Sequence, residues 1–373
     1  MKVCIIQPVM KQYRLPFFEA LAGRLGREGI DLQVVYGTPW AEEAKRNDHV
    51  DLTSPIGLKV NSRMLGGKLL LIPVIRPWLS ADLVVVEHAN KNVLNYLLAL
   101  LSQLRLKRVA YWGHGRDRQA DPASRAEGLK RRSLHWADWW FAYTDDAARY
   151  VAGQGFDAAR ITTVHNAIDT RELRAQLAQV SEADRADALR ELGWPADARV
   201  GVYCGSLYEN KRLDWLMQAS EQVHAQHPEF RLLIVGGGPQ AGQVEAFAAT
   251  RDWVRCVGPK FGPDKARMLS LAQMWLNPGL VGLGILDAFC AGLPLLTTDV
   301  PVHSPEIEYL EPGRSGLITE PSAAAFAAAI EALLDDPARL AAMRAAAEEA
   351  SRRYSIETMA ENFAAGVKRC LGR

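Results

Sequence analysis

The fold is decided by one stretch of the chain, NPGLVGLGILDAFCAGLP at residues 277–294. Glycines at 279, 282 and 284 lead into a predicted helix, and Asp287 follows about one turn later. The first N–H groups of a helix are unpaired and partly positive, and glycines beside them let a phosphate approach closely. An acidic side chain one turn into the helix is well placed to bind ribose hydroxyls. The stretch therefore favours a nucleoside-diphosphate site, and a tight strand-to-helix turn is the alternative interpretation.

Short apolar runs alternate with helical patterns on both sides of this stretch. Val84–Val86 is typical of the runs, because it is β-branched and lacks polar alternation, as in strands buried on both faces of a parallel sheet. The pattern predicts two Rossmann-like, doubly wound α/β domains facing a central cleft, where such folds bind ligands. The predicted boundaries are 1–170 for the first domain, 171–196 for a linker, 197–354 for the second domain and 355–373 for a C-terminal helix.

The composition is that of a globular protein, with 373 residues, 49% hydrophobic residues and a net charge of +1. A net charge so close to zero argues against nucleic-acid binding. Residues 1–170 nevertheless hold 23 Lys and Arg against 17 Asp and Glu, which indicates either a basic binding face or ordinary solvated charge. The five cysteines have neither zinc nor disulfide spacing, and no signal-peptide pattern precedes the first strand. The sequence therefore predicts a cytoplasmic protein in a reducing compartment.

Two loops of the predicted second domain combine glycine with positive charge. Gly205–Arg212, GSLYENKR, follows the first strand of that domain and opens a helix, where this fold class holds phosphate. A cation at a helix N-terminus is unfavourable without an anionic partner, so Lys211 and Arg212 suggest one; solvated side chains are the alternative. The next predicted strand ends in the glycine turn Gly236–Gly238. This turn is interpreted either as one that faces a phosphate or as one that is merely flexible. The chain has no D-x-D pair of carboxylates, which favours metal-free chemistry.

Polar residues also follow three strands of the predicted first domain. His114 lies between two glycines after one strand. This position favours hydrogen bonding to a sugar hydroxyl or a developing charge over a structural role. The further candidates for contacts with a second substrate are Tyr13, Arg14, Glu87, Asn90 and Arg116.

Six motifs, in their order and spacing, resemble those of the GT-B glycosyltransferases, specifically glycosyltransferase family 4 of the group 1 type. The resemblance covers nearly the whole chain and is strongest over residues 200–320. The motifs are HNAID (165–169), GSLYENKRLDWLMQA (205–219), LLIVGGGP (232–239), VRCVGP (254–259), NPGLVGLGILDAFCAGLPLLTTD (277–299) and PEIEYLEPGRSGLI (305–318). Each motif is weak alone, but the ordered set is fairly specific.

The resemblance implies a retaining, metal-independent glycosyltransferase of the hexosyltransferase type. It would need no cofactor and would take its sugar from a nucleoside diphosphate, most simply UDP or GDP. The first domain would bind the acceptor, and the final helix would pack back on that domain. Lys211 would hold the diphosphate and act in catalysis with His114, while Asp287 would hold the ribose. The implied donor-binding residues are Gly205, Ser206, Lys211, Arg212, Gly236, Gly258, Lys260, Gly279, Val281, Gly282, Leu283, Gly284 and Asp287.

Two positions depart from the family pattern. The usual E-x7-E pair would occupy positions 279 and 287, where this chain has Gly279 and the shorter Asp287. The carboxylate that usually contacts the donor sugar is therefore missing. A Gly-Arg pair usually precedes the lysine, but here Ser206 takes the place of that arginine, and Arg212 or Lys260 could supply the missing charge.

The implied acceptor is a glycan or a polyprenyl-linked sugar in surface polysaccharide biosynthesis. Peripheral contact of the first domain with the inner face of the membrane is predicted by two features. One is the basic cluster Lys130–Arg132 near Trp136, Trp139 and Trp140, and the other is the apolar run Leu69–Val74 beside Trp78. Core packing and solvated charge are the alternative interpretation. A GT-B nucleotide-sugar 2-epimerase and a non-catalytic sugar-nucleotide-binding or scaffold protein also stay open as functions.

Overall fold

The computed structural model describes residues 1–44, 48–116 and 125–373, apart from the side chains of residues 125–127. It divides into two compact units, the first formed by residues 1–169 with 355–373 and the second by residues 170–354. Each unit contains its own parallel sheet with helices between the strands. The predicted fold class of two Rossmann-like α/β domains is therefore confirmed. The sequence pattern also predicts a helix over residues 123–136, and the first two residues of that range lie outside the described residues.

The first unit is built on a parallel sheet that runs, among the described residues, in the order β3-β2-β1-β6-β7-β8-β9, and β4 and β5 form a separate antiparallel hairpin. Its strands are β1 (Lys2–Gln7), β2 (Asp31–Gly37), β3 (Gly57–Val60), β4 (Arg63–Leu65), β5 (Leu69–Leu71), β6 (Leu83–Glu87), β7 (Arg108–Gly113), β8 (Trp139–Ala142) and β9 (Ile161–Thr163). The helices up to β9 are α1 (Leu15–Gly26), α2 (Ala41–Ala44), α3 (Arg76–Leu79), α4 (Val93–Gln103), α5 (Arg125–Ser133) and α6 (Asp145–Gly153).

The strand order of the first unit brings three polar loops together. Val84, Val85 and Val86 are all buried, and successive strand residues point to opposite faces, so both faces of β6 are covered. The order reverses between β1 and β6, and β7 is the next neighbour of β6. The loops after β1, β6 and β7 therefore lie side by side at the carboxyl edge of the sheet, where ligands bind in this fold class.

The second unit repeats this plan in a parallel sheet whose order, among the described residues, is β12-β11-β10-β13-β14-β15. Its strands are β10 (Arg199–Cys204), β11 (Phe230–Val235), β12 (Val254–Cys256), β13 (Ala272–Leu276), β14 (Leu295–Thr298) and β15 (Gly316–Thr319). Its helices are α7 (Arg171–Gln179), α8 (Glu182–Glu191), α9 (Leu213–Gln226), α10 (Ala241–Ala249), α11 (Gly262–Ser270), α12 (Gly284–Cys290), α13 (Ala323–Leu334) and α14 (Pro337–Arg353). The order reverses between β10 and β13, so this pair marks the expected ligand edge.

The polar connector forms two helices, α7 and α8, and both belong to the second unit. The Ser181 hydroxyl and the Asp184 carboxylate cap α8 reciprocally, which stabilises the break between the two helices. Helix α11 packs beside both of them. The connector is therefore an ordered part of the second unit.

The last helix, α15 (Ile356–Leu371), belongs to the first unit. The Ser355 hydroxyl accepts a hydrogen bond from the Thr358 N–H at 3.2 Å and so caps the start of the helix. The Phe363 ring stacks on the Phe141 ring with 4.0 Å between centroids. Close packing continues at Gly366, where a Cβ atom would lie 2.6 Å from the Phe141 ring.

Most of the apolar run that was predicted to face a membrane is instead core. Leu70, Ile72, Val74 and Trp78 are at most 6% exposed and share one hydrophobic cluster with Trp140. These side chains are apolar because they fill the core of the first unit. The prediction that they contact a membrane is therefore wrong for them. Within the part of the chain that the structure describes, no helix combines the length and the hydropathy needed to cross a bilayer.

Candidate functional site

Two loops interlock where the strand order of the second unit reverses. One loop, Gly205–Arg212, follows β10, and the other, residues 277–283, follows β13. The Leu280 N–H donates to the Asn210 carbonyl at 2.8 Å. A Cβ atom on Gly279 would lie 2.3 Å from the Asn210 carbonyl oxygen, so no larger residue fits without a backbone shift. The close packing of the two loops therefore requires glycine at position 279, because a glutamate side chain has no room in this arrangement.

Lys211 lies in this junction with its ammonium group buried. Its Nζ donates to the Leu280 carbonyl at 2.5 Å, and burial lowers the pKa of Lys211 to about 8. No carboxylate among the described residues forms an ion pair with it. A buried cation that lacks a counter-ion is unfavourable. An anion beside Lys211 would supply that counter-ion.

Asp287 lies in the first turn of α12 and forms an ion pair with Lys265 of α11, with 2.7 Å between Oδ2 and Nζ. Burial alone would lower the pKa of Lys265, but the charge and the hydrogen bond of Asp287 raise it above its usual value. The pair holds the carboxylate in one orientation. Sequence reasoning missed Lys265, because its partner lies 22 residues away in the chain and the two helices meet only in the fold.

A cavity of about 380 Å³ opens at the carboxyl ends of β10 and β11, beside the loop after β12. Its lining includes four predicted donor-binding residues, Gly205, Ser206, Gly236 and Lys260, together with Lys265. A Cβ atom on Gly236 would lie 1.9 Å from the Gly205 carbonyl oxygen, so glycine is required for the two loops to meet. Because glycine has no side chain, backbone atoms form the floor of the cavity at this turn. A phosphate or a ribose can therefore approach these atoms closely.

Phe261 lies on the rim of this cavity and is 79% exposed. It occupies the N-cap position of α11 and follows Gly258, whose φ of +69° favours glycine. The Gly258 carbonyl accepts a hydrogen bond from the Gly236 N–H at 3.0 Å, which joins the loops after β11 and β12. An exposed aromatic ring beside a polar cavity can stack on a nucleobase. The sequence signal was an isolated aromatic residue just after a strand, and sequence reasoning overlooked it.

The loop before α12 is held in place by His303. The Val281 N–H donates to His303 Nδ1 at 3.0 Å, and His303 Nε2 donates to the Thr298 carbonyl at 2.7 Å. The Val281 carbonyl accepts from the Ser304 N–H at 2.9 Å. Both backbone groups of Val281 are thus engaged and its side chain is buried, which removes it from the predicted donor contacts.

The N–H groups of Gly282, Leu283 and Gly284 remain the backbone donors of this loop. Within the described residues, none of the three donates to another group of the protein. Helix α12 has only seven residues, so its macrodipole contributes less than the direct N–H contacts.

Arg212 is less available as a countercharge than the sequence suggests. Its guanidinium donates to both carboxylate oxygens of Asp214, at 3.1 and 2.8 Å, and stacks on the Trp215 ring at 3.4 Å. The left-handed φ of +54° at Arg212 turns the chain into α9. Arg212 also lines a second cavity of about 620 Å³ with Tyr208 and Val302. Arg212 therefore lines this second cavity with a guanidinium that is already paired with Asp214.

His114 follows β7 in the first unit and is half-buried. Its ring meets the Tyr143 ring edge-on with 4.2 Å between centroids. Gly115 has a φ of +76°, and a Cβ atom there would lie 2.8 Å from the Val151 side chain. The second glycine therefore sets the turn that carries His114 to the carboxyl edge.

Arg14 does not have the exposed position that was predicted for it. It is 4% exposed, and its guanidinium donates to the Tyr143 hydroxyl and to Asn166 Oδ1, both at 2.9 Å. It also packs on the Trp112 ring at 4.4 Å. Arg14 thus positions Tyr143, against which the His114 ring rests, and a direct acceptor contact by Arg14 does not fit this burial.

The other first-unit candidates lie on the loops that meet at the carboxyl edge. Tyr13 is exposed after β1, and Glu87 and Asn90 are half-buried at the end of β6. Arg116 forms an ion pair with Asp146 at 3.0 Å. The structure therefore gathers the donor candidates in the second unit and the acceptor candidates in the first. Over residues 1–44, 48–116 and 125–373, no group of three or more His, Cys, Asp or Glu residues could hold a metal ion.

Two family models match the chain, one in each half. The model described as Glycosyltransferase Family 4 matches residues 17–172, and the model described as Glycosyl transferases group 1 matches residues 198–336. Among curated proteins, the chain is similar to the D-inositol 3-phosphate glycosyltransferase 1 of Catenulispora acidiphila. The two are 30% identical over 251 residues, which is 62% of this chain and 57% of that relative. The chain spans about half the length of the curated relatives it matches.

Solved structures share the fold over the full length of the chain. HepE of Anabaena, solved in complex with UDP, has a TM-score of 0.70 at 17% identity and covers 99% of this chain and 100% of its own. The pneumococcal O-GlcNAc transferase GtfA, solved with UDP and GlcNAc, has a TM-score of 0.65 at 13% identity and covers 100% and 99%. With a matching family model in each half and this shared fold, the chain belongs to the GT-B glycosyltransferases of group 1, family 4.

Proposed function

We propose that the protein is a retaining, metal-independent glycosyltransferase. It transfers a hexose-type sugar from a UDP- or GDP-linked donor to a glycan or lipid-linked acceptor in surface polysaccharide biosynthesis. The second unit binds the donor, and the first unit carries the acceptor contacts. The nucleotide sugar is a substrate, and the proposal includes no further cofactor.

The observation that carries this proposal is the buried ammonium group of Lys211. Its partner in the second unit is the Leu280 carbonyl, and burial lowers its pKa to about 8. A diphosphate beside Lys211 supplies the missing negative charge and restores the usual pKa. The free N–H groups of the loop before α12 then add hydrogen bonds to the same anion.

The cavity beside this junction suits the nucleoside. The paired Asp287 carboxylate accepts hydrogen bonds from the ribose hydroxyls, while Lys265 holds it in one orientation. The exposed ring of Phe261 stacks on the base. Stacking does not select one base, so the proposal keeps both uridine and guanosine diphosphates.

The chemistry follows from where the negative charge develops. The bond between the anomeric carbon and the donor phosphate oxygen breaks, and the diphosphate keeps the electron pair. The acceptor hydroxyl attacks from the same face, and its proton passes to a diphosphate oxygen. Lys211 and the backbone N–H groups stabilise the departing diphosphate electrostatically. His114 donates a hydrogen bond to the donor sugar, because an imidazole ring carries at least one N–H donor.

The acceptor contacts are proposed for Tyr13, Glu87, Asn90 and Arg116 of the first unit. The curated relatives are named for an acceptor that carries a phosphate, D-inositol 3-phosphate. The excess of positive charge in residues 1–170 is compatible with such an anionic acceptor or with a polyprenyl diphosphate at a membrane. We favour the lipid-linked acceptor, because the first unit also exposes apolar surface.

The proposal is tested by nucleotide binding followed by product analysis. Thermal unfolding is measured with UDP, GDP, ADP and their sugar conjugates in a chelator, with Lys211→Met beside the wild type. The expected result is stabilisation by one nucleotide that the variant loses. Lys59→Met is the matched control, since Lys59 is an exposed lysine paired with Asp51 in the first unit.

The products then separate the remaining functions. Transfer to inositol 3-phosphate or to a polyprenyl-linked sugar with retained anomeric configuration supports the proposal. An epimerised nucleotide sugar formed without acceptor would instead make the protein a 2-epimerase. Nucleotide binding without any turnover across the acceptor panel would favour a non-catalytic binding protein.

A further inference from the structure

Helix α4 exposes leucines on one side, although its other side packs in the core of the first unit. The buried side carries Leu98 and Ala99 together with the polar residues Asn95 and Ser102, while Leu97, Leu100 and Leu104 are exposed. The buried polar groups are satisfied, because Asn95 donates to the Glu87 carbonyl and Ser102 donates to the Asp138 carboxylate. A surface helix normally turns its leucines inward. Leu97, Leu100 and Leu104 therefore form apolar surface that faces away from the protein core.

Neighbouring elements extend this exposed apolar surface. Ile75 and Leu79 of α3 are 64% and 54% exposed, and Leu106 just after α4 is 68% exposed. The Lys107 ammonium donates to the Leu79 carbonyl at 2.8 Å, which ties the end of α3 to the segment between α4 and β7. We call these side chains, with Leu97, Leu100 and Leu104, the α3–α4 surface. Contiguous apolar surface of this kind usually marks an interaction site.

The hairpin of β4 and β5 adds two more exposed leucines. Leu65 and Leu69 are cross-strand partners and flank a turn that contains Lys68. Strand β5 packs beside α4. Apolar side chains beside such a turn can insert shallowly into the boundary between water and an apolar phase, while the Lys68 ammonium group stays on the water side.

Positive charge is concentrated in the same part of the chain. Residues 57–108 contain eight Lys and Arg but only two acidic residues, Asp82 and Glu87, which accounts for the whole excess of residues 1–170. Asp82 is already engaged, since its carboxylate accepts from the Lys2 N–H at 2.7 Å. Four exposed cations have no ion-pair partner within the described residues: Arg63, Lys68, Arg76 and Arg105.

We infer that the α3–α4 surface docks the protein on a membrane that contains anionic lipids. The leucines enter the boundary between headgroups and acyl chains, and the unpaired cations contact lipid phosphates. A second copy of the chain fits this surface less well, because symmetric pairing would bring two basic surfaces together. The inference rests on the proposed lipid-linked acceptor for its purpose, but membrane binding itself needs neither donor nor turnover.

The test is sedimentation of the full chain with lipid vesicles in the absence of nucleotide. Vesicles of phosphatidylcholine alone are compared with vesicles that also contain phosphatidylglycerol, at low and high salt. We expect binding to the anionic vesicles that falls as salt rises. Failure of the wild type to bind, or equal binding to both vesicles at all salt concentrations, would overturn the inference and leave the transferase proposal untouched.

Two triple variants separate the apolar and the charged contributions. The triple variant Leu97→Gln, Leu100→Gln and Leu104→Gln should weaken vesicle binding by at least about tenfold, since it removes three leucine side chains that the bilayer would bury. Arg63→Gln, Arg76→Gln and Arg105→Gln together should weaken it by about a hundredfold, at roughly fivefold per cation near an anionic surface. The charge-matched control, which should bind normally, removes three exposed arginines of α14: Arg339→Gln, Arg352→Gln and Arg353→Gln.

Hydrogen exchange of the wild type supplies a measurement that does not depend on variant folding. Vesicles should protect peptides that cover residues 63–69, 75–79 and 93–107 and leave those of the second unit unchanged. Protection elsewhere, or a leucine variant that keeps its fold and still binds fully, would overturn the inference. So would light scattering that finds a dimer of the wild type and a monomer of the leucine variant.

Discussion

Replacing Lys211 by methionine should make the ligand-free protein more stable and abolish its affinity for nucleotide. Methionine keeps the unbranched shape of the side chain but removes the charge. The ammonium group is buried in the junction between the loops after β10 and β13, and its partner there is the Leu280 carbonyl. The prediction therefore separates a residue that binds an anion from one that supports the fold.

The magnitude follows from the pKa. Burial lowers the pKa of Lys211 from 10.5 to about 8. At about 1.4 kcal/mol for each pKa unit, the charged side chain costs the folded state about 3 kcal/mol. Losing the hydrogen bond to the Leu280 carbonyl offsets about 1 kcal/mol of the gain. The expected increase in the free energy of unfolding of the second unit is thus about 2 kcal/mol.

The same pKa shift gives the sign of the pH dependence. Below a pH of about 8, Lys211 is protonated in both the folded and the unfolded chain, so its full cost is present. Between that value and 10.5, the folded protein has lost the proton and the unfolded chain still binds it. The stability of the wild type therefore rises with pH across this window relative to the variant. Nucleotide affinity falls over the same window by up to about tenfold for each pH unit, because binding then requires proton uptake.

Calorimetry measures both effects. Unfolding scans of the wild type, Lys211→Met and the control Lys59→Met are compared from about pH 7 to pH 10. A phosphate with a pKa near 6 keeps its charge over this range, so the charge of the nucleotide does not change. Titrations with the binding nucleotide in two buffers of different ionisation enthalpy measure the proton uptake. The reasoning is refuted if Lys211→Met is less stable than the wild type at neutral pH, or if both bind nucleotide with the same pH dependence.

Three further substitutions test other parts of the site. Asp287→Asn leaves Lys265 without its partner and should lower stability by about 1–3 kcal/mol in urea titrations and weaken nucleotide binding; an unchanged affinity would exclude the ribose contact. Gly279→Ala places a Cβ atom 2.3 Å from backbone atoms and should cost about 1–3 kcal/mol in thermal unfolding, whereas an unchanged Tm would mean that the loops move easily. Phe261→Ala should leave the Tm unchanged and raise the Kd for nucleotide about tenfold, and equal affinities in calorimetry would rule out base stacking.

Much of the fold was predictable because it depends on local patterns. Val84–Val86 lacks polar alternation since both faces of its strand are covered, and that pattern alone indicates a parallel sheet. Ser355 and Pro337 mark helix starts through hydrogen bonding and ring geometry that act within a few residues. The loop Gly205–Arg212 was found for the same reason, because glycine and cations at a helix start have a local meaning.

Parts of the candidate site were not predictable, because they depend on residues far apart in the chain. Arg14 was expected to face a substrate, but Tyr143 and Asn166, more than 120 residues away, accept its hydrogen bonds in the interior. Val281 was expected to donate to a phosphate, but His303 takes its N–H. A sequence shows that a residue is polar, but not which partner already satisfies it.

The sequence by itself determined the two α/β units, the glycine loops at their carboxyl edges and the membership of the glycosyltransferase family. These follow from periodicity, turn chemistry and motif order, which are all properties of short segments. Only the tertiary structure decided that Lys211 is a buried cation, that Lys265 holds Asp287, and that Leu97 and Leu100 of α4 are exposed. Burial and electrostatic pairing depend on what folding brings within a few ångströms, and distance along the chain does not determine that.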